Sequence, residues 1–326
     1  MNVTTTLAGR LAGAAIAGML ALGASAETLV LVNADTIGSP MDQMNAQFAK
    51  LIEDRSNGEI DVNYISGNQL GTPPQVMDQI SAGSLDALGT AAAWLSAYAP
   101  DTQILTWGFT FRDGAHMQAF FASPLFDELV TDMRETGRIR VLSAGPTEPR
   151  VAFMTQPLGA DGSFAGRKMR IPQIPSYLAL WKALGAQPTQ VAWSEVYLGM
   201  STGVVDGAEG PPTAAIAQRF HEVAQNIYLT NHVWATSTIL INEDKFNSLS
   251  PEHQAIVAQA AQDATQWAYE DATARREEVL AEMEAGGATI NAYDATGLQA
   301  IAREAVGVLE AEGLWREGLF DAVQNY

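Results

Sequence analysis

Two arginines offer the clearest chemistry in this chain. Arg150 follows Gly145-Pro146-Thr147-Glu148-Pro149, and Arg170 lies within Arg167-Lys168-Met169-Arg170-Ile171-Pro172. Arg150 comes just after a predicted strand over Arg138–Ser143, and Arg170 near the end of another over Gly166–Pro172. Side chains alternate along a strand, so Lys168 and Arg170 share one face while Met169 and Ile171 share the other. A guanidinium among such short apolar neighbours is partly buried, and a buried guanidinium needs an anion. Its planar fork fits a carboxylate through two parallel hydrogen bonds. Spacing leaves two sources for that carboxylate: a bound ligand, or one of the 37 acidic side chains of the chain.

Aromatic residues gather nearby in sequence: Trp94, Trp107, Phe109, Phe111, Trp181, Trp193 and Tyr197. Core packing accounts for any one of them. Trp193 stands apart because it opens a predicted helix, and helix N-termini in α/β folds face ligand crevices. Tyr197 lies one turn further on. The chain has no G-x-S-x-G, H-E-x-x-H, P-loop or G-x-G-x-x-G pattern. Its four histidines, His116, His221, His232 and His253, lack zinc-ligand spacing. The sequence thus assigns no catalytic residue, no metal and no cofactor.

Composition narrows the partners. The 326 residues carry 37 acids against 18 Lys and Arg, a formal charge of −19. Nucleic acid is excluded, because phosphate neutralisation needs clustered cations. The absence of cysteine excludes disulfides, thiol catalysis and Cys-bound zinc. With 47% hydrophobic residues the chain can build substantial cores, and its length suggests two domains. Residues 1–26 read as a secretory signal peptide. Met1–Arg10 is a short basic segment, Leu11–Gly23 a 13-residue apolar run, and Ala24-Ser25-Ala26 a small-x-small cleavage site. The run is too short to span a membrane, which takes about 20 apolar residues. The mature chain then starts near Glu27, works in the periplasm without membrane insertion, and has 300 residues and a charge of −20.

The elements that must position the arginines follow from periodicity. Thr28–Val32 is a continuous apolar run, a buried parallel strand that ends at the polar Asn33-Ala34-Asp35. Ser39-Pro40 caps a helix with apolar residues at Met41, Met44, Phe48, Leu51 and Ile52, stopped by Asn57-Gly58. Ile60, Val62 and Tyr64 alternate with polar residues as a second strand. Gln75–Ala82 is a short helix, and Leu85–Leu88 a third strand. Helices are also predicted over Ser176–Leu184 and Ser194–Ser201. This alternation means an α/β fold. From Ser250-Pro251, helix-favouring residues run to Ala285, where Gly286-Gly287 ends them. At 1.5 Å per residue such a helix is about 50 Å long, enough to brace two domains.

Taken together, these residues resemble the DctP-type solute receptors of tripartite ATP-independent periplasmic (TRAP) transporters. The likeness covers the mature chain. Its most specific part runs from Gly166 to His232: Gly166-Arg167-Lys168-Met169-Arg170-Ile171-Pro172, Ala183-Leu184-Gly185-Ala186, Ser194-Glu195-Val196-Tyr197, Thr202–Glu209 and Thr230-Asn231-His232. Gly67-Asn68-Gln69-Leu70-Gly71 and Phe111-Arg112-Asp113 match upstream. The resemblance implies two α/β lobes with parallel or mixed sheets, hinged as a trap and spanned by a long helix. It implies lobe I over residues 27–147 plus about 236–275, and lobe II over 148–235 plus about 276–326. The implied ligand is a small organic anion, passed to membrane permease subunits.

The resemblance also assigns roles. Arg170 would clamp the ligand carboxylate and Arg150 assist it. Trp193 would stack on the ligand, and Asn33 would contact it from the other lobe. Trp94 and Phe109 are expected on the other wall by position in the sequence, and Tyr197 is held as a ligand-binding candidate beside Trp193. Gly210 is a departure, since the family usually has Asn after D-G-x-E; its missing side chain leaves space or a water there. Two other readings stay open: a secreted enzyme acting in the same cleft, and a ligand-binding sensor subunit for a signalling partner.

Overall fold

The computed structural model describes Met1 and residues 27–326; the signal-peptide reading of residues 1–26 lies outside the described residues. Eleven strands are present among the described residues. They are β1 (Glu27–Asn33), β2 (Ile60–Ile65), β3 (Ala87–Thr90), β4 (Ile139–Pro149), β5 (Val151–Met154) and β6 (Lys168–Ile171), followed by β7 (Gln187–Gln190), β8 (Gly207–Gly210), β9 (Asn226–Tyr228), β10 (Trp234–Asn242) and β11 (Thr289–Asn291). They form two mixed sheets. The first has the order β2-β1-β3-β10-β4, and the second β11-β9-β5-β8-β6-β7. In the first, β10 runs antiparallel to both β3 and β4. In the second, β5 runs antiparallel to β8 and β9. The remaining pairs are parallel.

The local rules behind the first lobe hold. Ser39 caps the Pro40–Arg55 helix by accepting from the Asp42 N–H, and Pro40 occupies its first turn. Asn57 and Gly58 follow with positive φ, which turns the chain back into β2. The helix buries Met44, Phe48 and Ile52 against Leu29 and Leu31 of β1. Several strands differ from expectation: β3 lies two residues beyond Leu85–Leu88, and β5, β7, β8, β9, β10 and β11 fall outside the predicted strands, the two longest differences being in β4 and β10. β4 continues through Gly145–Pro149, because the long buried strand β10 pairs with it as far as Trp234–Pro149. β10 itself gave no turn-bounded alternation; Ala235–Asn242 are all buried, so period two is absent.

The chain passes between the sheets without a polar linker. β4 ends at Pro149 in the first sheet, and β5 begins at Val151 in the second. β9 returns the chain to β10 in the same way. The third crossing is the Pro251–Ala285 helix, 35 residues long and capped by Ser250, which at 1.5 Å per residue is about 52 Å. Its first half packs Val257, Ala260 and Ala264 on the first sheet. Its second half packs Val279 and Met283 on Val151 and Phe153 of the second. Alanines on the buried stripe let the helix lie close to the sheet.

The C-terminal segment reaches back to residues 101–128. The Trp107 and Trp315 rings meet at 5.6 Å. Arg112 donates to the Gln324 carbonyl at 2.8 Å, and Arg316 pairs with Glu128 at 2.5 Å. Among the described residues no helix is long and apolar enough to cross a membrane.

Candidate functional site

A cavity of about 590 Å³ lies between the two sheets. Its first wall comes from the loop after β1 (Ala34, Asp35, Thr36), the end of β3 (Thr90) and Trp94. Its second comes from Arg170, Tyr177, Gln190, Val191 and Trp193. The crossing strands β4 and β10 supply Thr147 and Trp234–Thr236 at its back. Thr36 of the first wall also accepts from the Gln218 amide, which ties that loop to the chain following β8.

Arg170 is 3% exposed. Its Nε donates to the Val191 carbonyl at 2.8 Å, and its terminal nitrogens make no hydrogen bond among the described residues. The Trp193 ring lies 5.3 Å from its guanidinium carbon. Burial pushes the Arg170 guanidinium down to about 10; Glu209 offsets part of that fall and Arg150 adds to it. A buried guanidinium whose fork is open and faces a cavity is a preformed anion site.

Arg150 is held differently. Its Nε and one terminal nitrogen donate to the two Glu209 carboxylate oxygens at 2.5 and 2.6 Å. Glu209 sits on β8 beside β5 and is fully buried. Burial would raise its pKa, but the Arg150 charge and hydrogen bonds hold it down at about 2. For Arg150 burial opposes the charge, and Glu209 outweighs it, so its pKa is raised. His232 completes the group. Its Nδ1 meets the Thr230 hydroxyl at 2.7 Å, and its Nε2 lies 3.4 Å from Glu209. That nitrogen is buried and makes no hydrogen bond among the described residues. The two sources of anion left open by the sequence are thus divided. Arg150 takes an internal carboxylate, and Arg170 does not.

The Gly210 expectation needs correction. A Cβ at position 210 would lie 2.8 Å from the Trp193 ring. The missing side chain leaves no free space, because Trp193 fills it, braced against Phe220 at 4.8 Å. The two features expected separately, a bulky Trp193 and a bare Gly210, are one packing solution.

Arg150, Arg170, Trp94 and Trp193 all line the cavity; Asn33, Gly210, Phe109 and Tyr197 do not. Asn33 is fully buried behind the wall. Its amide donates to Asp42 at 3.1 Å and to the Asp35 carbonyl at 3.2 Å, so it shapes the Asp35 loop. Phe109 has a positive φ, and its N–H donates to the His232 carbonyl at 2.8 Å. Tyr197 reaches Glu222 at 3.3 Å.

Sequence reading missed Asp35, Tyr177, Thr90, Thr147, Thr236 and Trp234 as lining residues. Asp35 and Thr147 were visible as polar residues at strand ends; Thr236 and Trp234 depended on recognising β10. Also missed was a buried group behind the cavity. Glu148 accepts from the Thr213 N–H at 2.8 Å and from Arg276 of the long helix at 3.0 Å. Arg276 donates as well to the Pro149 carbonyl at 2.9 Å and to Asn231 at 3.1 Å. It ties both strand crossings to the brace. Among the described residues no cluster of His, Cys, Asp and Glu is suited to hold a metal.

Comparison with known proteins accords with this geometry. A solute-binding protein of Roseobacter denitrificans is 27% identical over 316 residues, 94% of each chain. The sialic acid-binding periplasmic protein of Vibrio cholerae is 27% identical over 238 residues, covering 73% of this chain and 74% of that one. A TRAP periplasmic solute-binding protein from Escherichia fergusonii superposes with a TM-score of 0.80 at 27% identity, over 92% of this chain and 99% of that one. Another from Roseobacter denitrificans, with bound 3-deoxy-D-manno-oct-2-ulosonic acid, gives 0.83 at 26% identity, again over 92% and 99%. Residues 33–311 match the DctP family model, and the chain belongs to that family, the bacterial extracellular solute-binding proteins of family 7.

Proposed function

We propose that this chain is the solute receptor of a TRAP transporter. It captures a small organic acid by its carboxylate and delivers it to an ion-gradient-driven membrane permease. The observation that carries the reading is Arg170, buried at 3% exposure with its fork open to the cavity. A ligand carboxylate there supplies the missing counter-charge, and charge-assisted hydrogen bonds contribute about 1.5–3 kcal/mol each. Arg150, fixed by Glu209, keeps one terminal nitrogen for the same carboxylate and adds positive potential. Trp193 covers the ligand beside Arg170, and Trp94 faces it from the other wall. The Vibrio relative is named for an acid, and the Roseobacter structure holds one.

Residues 1–26 direct export to the periplasm in this reading. Lobe I comprises residues 27–147 with about 236–275, and lobe II residues 148–235 with about 276–326, whose last segment reaches across to residues 101–128 of lobe I. The lobes close because a ligand touching both walls binds the shut form more tightly. The acid is released unchanged, without turnover. A thermal-shift screen of organic acids and their methyl esters tests the proposal. At 100 times Kd a ligand stabilises by about 2.7 kcal/mol. Free acids should raise Tm and the esters should not. Stabilisation by esters as well as acids, silence across all acids, or chemical conversion of a bound acid would overturn it.

A further inference from the structure

The three chain segments that pass between the sheets meet at one side chain. Arg276 lies on the long helix between Ala268, which packs in the core of the first sheet, and Val279, which packs in that of the second. In the β4–β5 crossing its guanidinium donates to Glu148 at 3.0 Å and to the Pro149 carbonyl at 2.9 Å. In the β9–β10 crossing it donates to the Asn231 side chain at 3.1 Å. The two crossings are themselves joined, since the Arg150 N–H donates to the Val233 carbonyl at 2.8 Å. The other Glu148 oxygen accepts from the Thr213 N–H at 2.8 Å and from the Thr213 hydroxyl. Every branch of this group ends beside the cavity lining. Thr147 and Arg150 flank Glu148 and Pro149, Pro211 and Ala214 flank Thr213, and Trp234 follows Asn231 closely; all of these flanking residues line the cavity.

The Glu148 side chain is 1% exposed and that of Arg276 15%. Burial raises the Glu148 pKa, and the Thr213 bonds and the Arg276 charge offset part of the rise. Desolvation of such a pair cancels most of its attraction, so apolar side chains of the same volume would hold the fold as well. What apolar side chains lack is direction. A planar fork with fixed donors sets the helix and both crossings in one register, and a hinge turns as a unit only if its segments bend together.

We propose that Arg276, acting through Glu148, is a positioning residue for lobe closure. It couples the long helix to Thr147, Arg150 and the Pro211–Ala214 turn, so that the back of the cavity keeps one shape as the lobes move. The inference rests on the two-lobe receptor reading.

The chain has no cysteine, so spin labels can be placed at Asp61→Cys in β2 and at Ser201→Cys in the Val196–Ser201 helix, both exposed. Pulsed electron resonance then reads the distance between the lobes. In the ligand-free protein Arg276→Gln and Glu148→Gln should each broaden the distance distribution about twofold, and the double variant should be no broader than either. Arg276→Lys keeps the charge but loses the fork and should fall between. Equal widths in the native chain and in a folded Arg276→Gln overturn the proposal, and so does broadening that adds in the double variant. If the Gln variants do not fold, Arg276→Lys decides, and a native width in it overturns the proposal. D-glucuronate, D-gluconate, pyruvate, succinate and the other acids of the thermal-shift screen are then added in turn. An acid that shortens the native distance should bind Arg276→Gln about fivefold more weakly; equal affinity overturns the proposal. If no acid shortens it, the receptor reading fails, and the ligand-free comparison still decides the role of Arg276.

Discussion

Replacing Arg170 by Met should stabilise the unliganded protein and abolish its response to acids. The native guanidinium is buried, and its pKa falls to about 10. At 1.36 kcal/mol for each tenfold in the proton equilibrium, keeping it charged at neutral pH costs about 3 kcal/mol. Met fills much of the same volume without the charge. Against that gain stand two losses. The Val191 carbonyl loses its donor at 2.8 Å, about 1 kcal/mol, and the stack on Trp193 loses about 0.5–1 kcal/mol. The net is about 1 kcal/mol in favour of the variant, or about 2 °C in Tm for a protein of this size. The sign with pH follows. A base whose folded pKa is lowered loses its proton first in the folded state, so the penalty is present at neutral pH and relieved above about 10. The advantage of the variant should therefore shrink as pH rises through that range. Scanning calorimetry with and without a saturating acid reads all three effects. An unliganded variant whose Tm drops by 4 °C or more would show that the guanidinium is a structural partner and not an open anion site. A variant still stabilised by the acid would refute the open site equally.

Further outcomes follow from the same geometry. Gly210→Asn forces a side chain to within 2.8 Å of Trp193 and should cost about 1–3 kcal/mol by overpacking; adding Trp193→Phe should recover most of it, as a double-mutant cycle in urea would show. Glu209→Gln leaves Arg150 and His232 without their buried anion and should cost about 3–5 kcal/mol, read from denaturant midpoints. In the native protein Glu209 is held down at about 2, so its pairing contributes fully above the ordinary carboxylate range and is lost as pH falls towards 2. Acid titration of the unfolding free energy should accordingly show a larger loss below pH 4.5 in the native protein than in Glu209→Gln. Gln218→Ala removes the contact with Thr36 of the cavity wall and should speed ligand release about fivefold, equivalent to about 1 kcal/mol, with stopped-flow Trp fluorescence as the readout.

The sequence made the long helix, the β1–helix–β2 unit and the two arginines legible because each rests on local rules. Ser39 and Ser250 cap where capping residues should, and apolar spacing marks the buried faces. What stayed hidden depends on pairing between distant segments. β10 is buried along nearly its whole length between β3 and β4, so it lacks the alternation that betrays a half-exposed strand. Glu209 is one acid among many, and only the β5–β8 register puts it opposite Ala152, two residues from Arg150. The link between Gly210 and Trp193 joins β8 to a helix start seventeen positions earlier, and no spacing rule connects them. Trp94 and Trp193 line the cavity, while Phe109 and Tyr197, drawn from the same aromatic cluster, lie outside its lining.

The central claim is that Arg170 holds the carboxylate of a bound organic acid. Titration calorimetry of the tightest-binding acid against the native chain and Arg170→Ala tests it most directly. Loss of two charge-assisted hydrogen bonds, about 3–6 kcal/mol, predicts an affinity at least 100-fold weaker in the variant. An affinity within threefold of the native value would contradict the account.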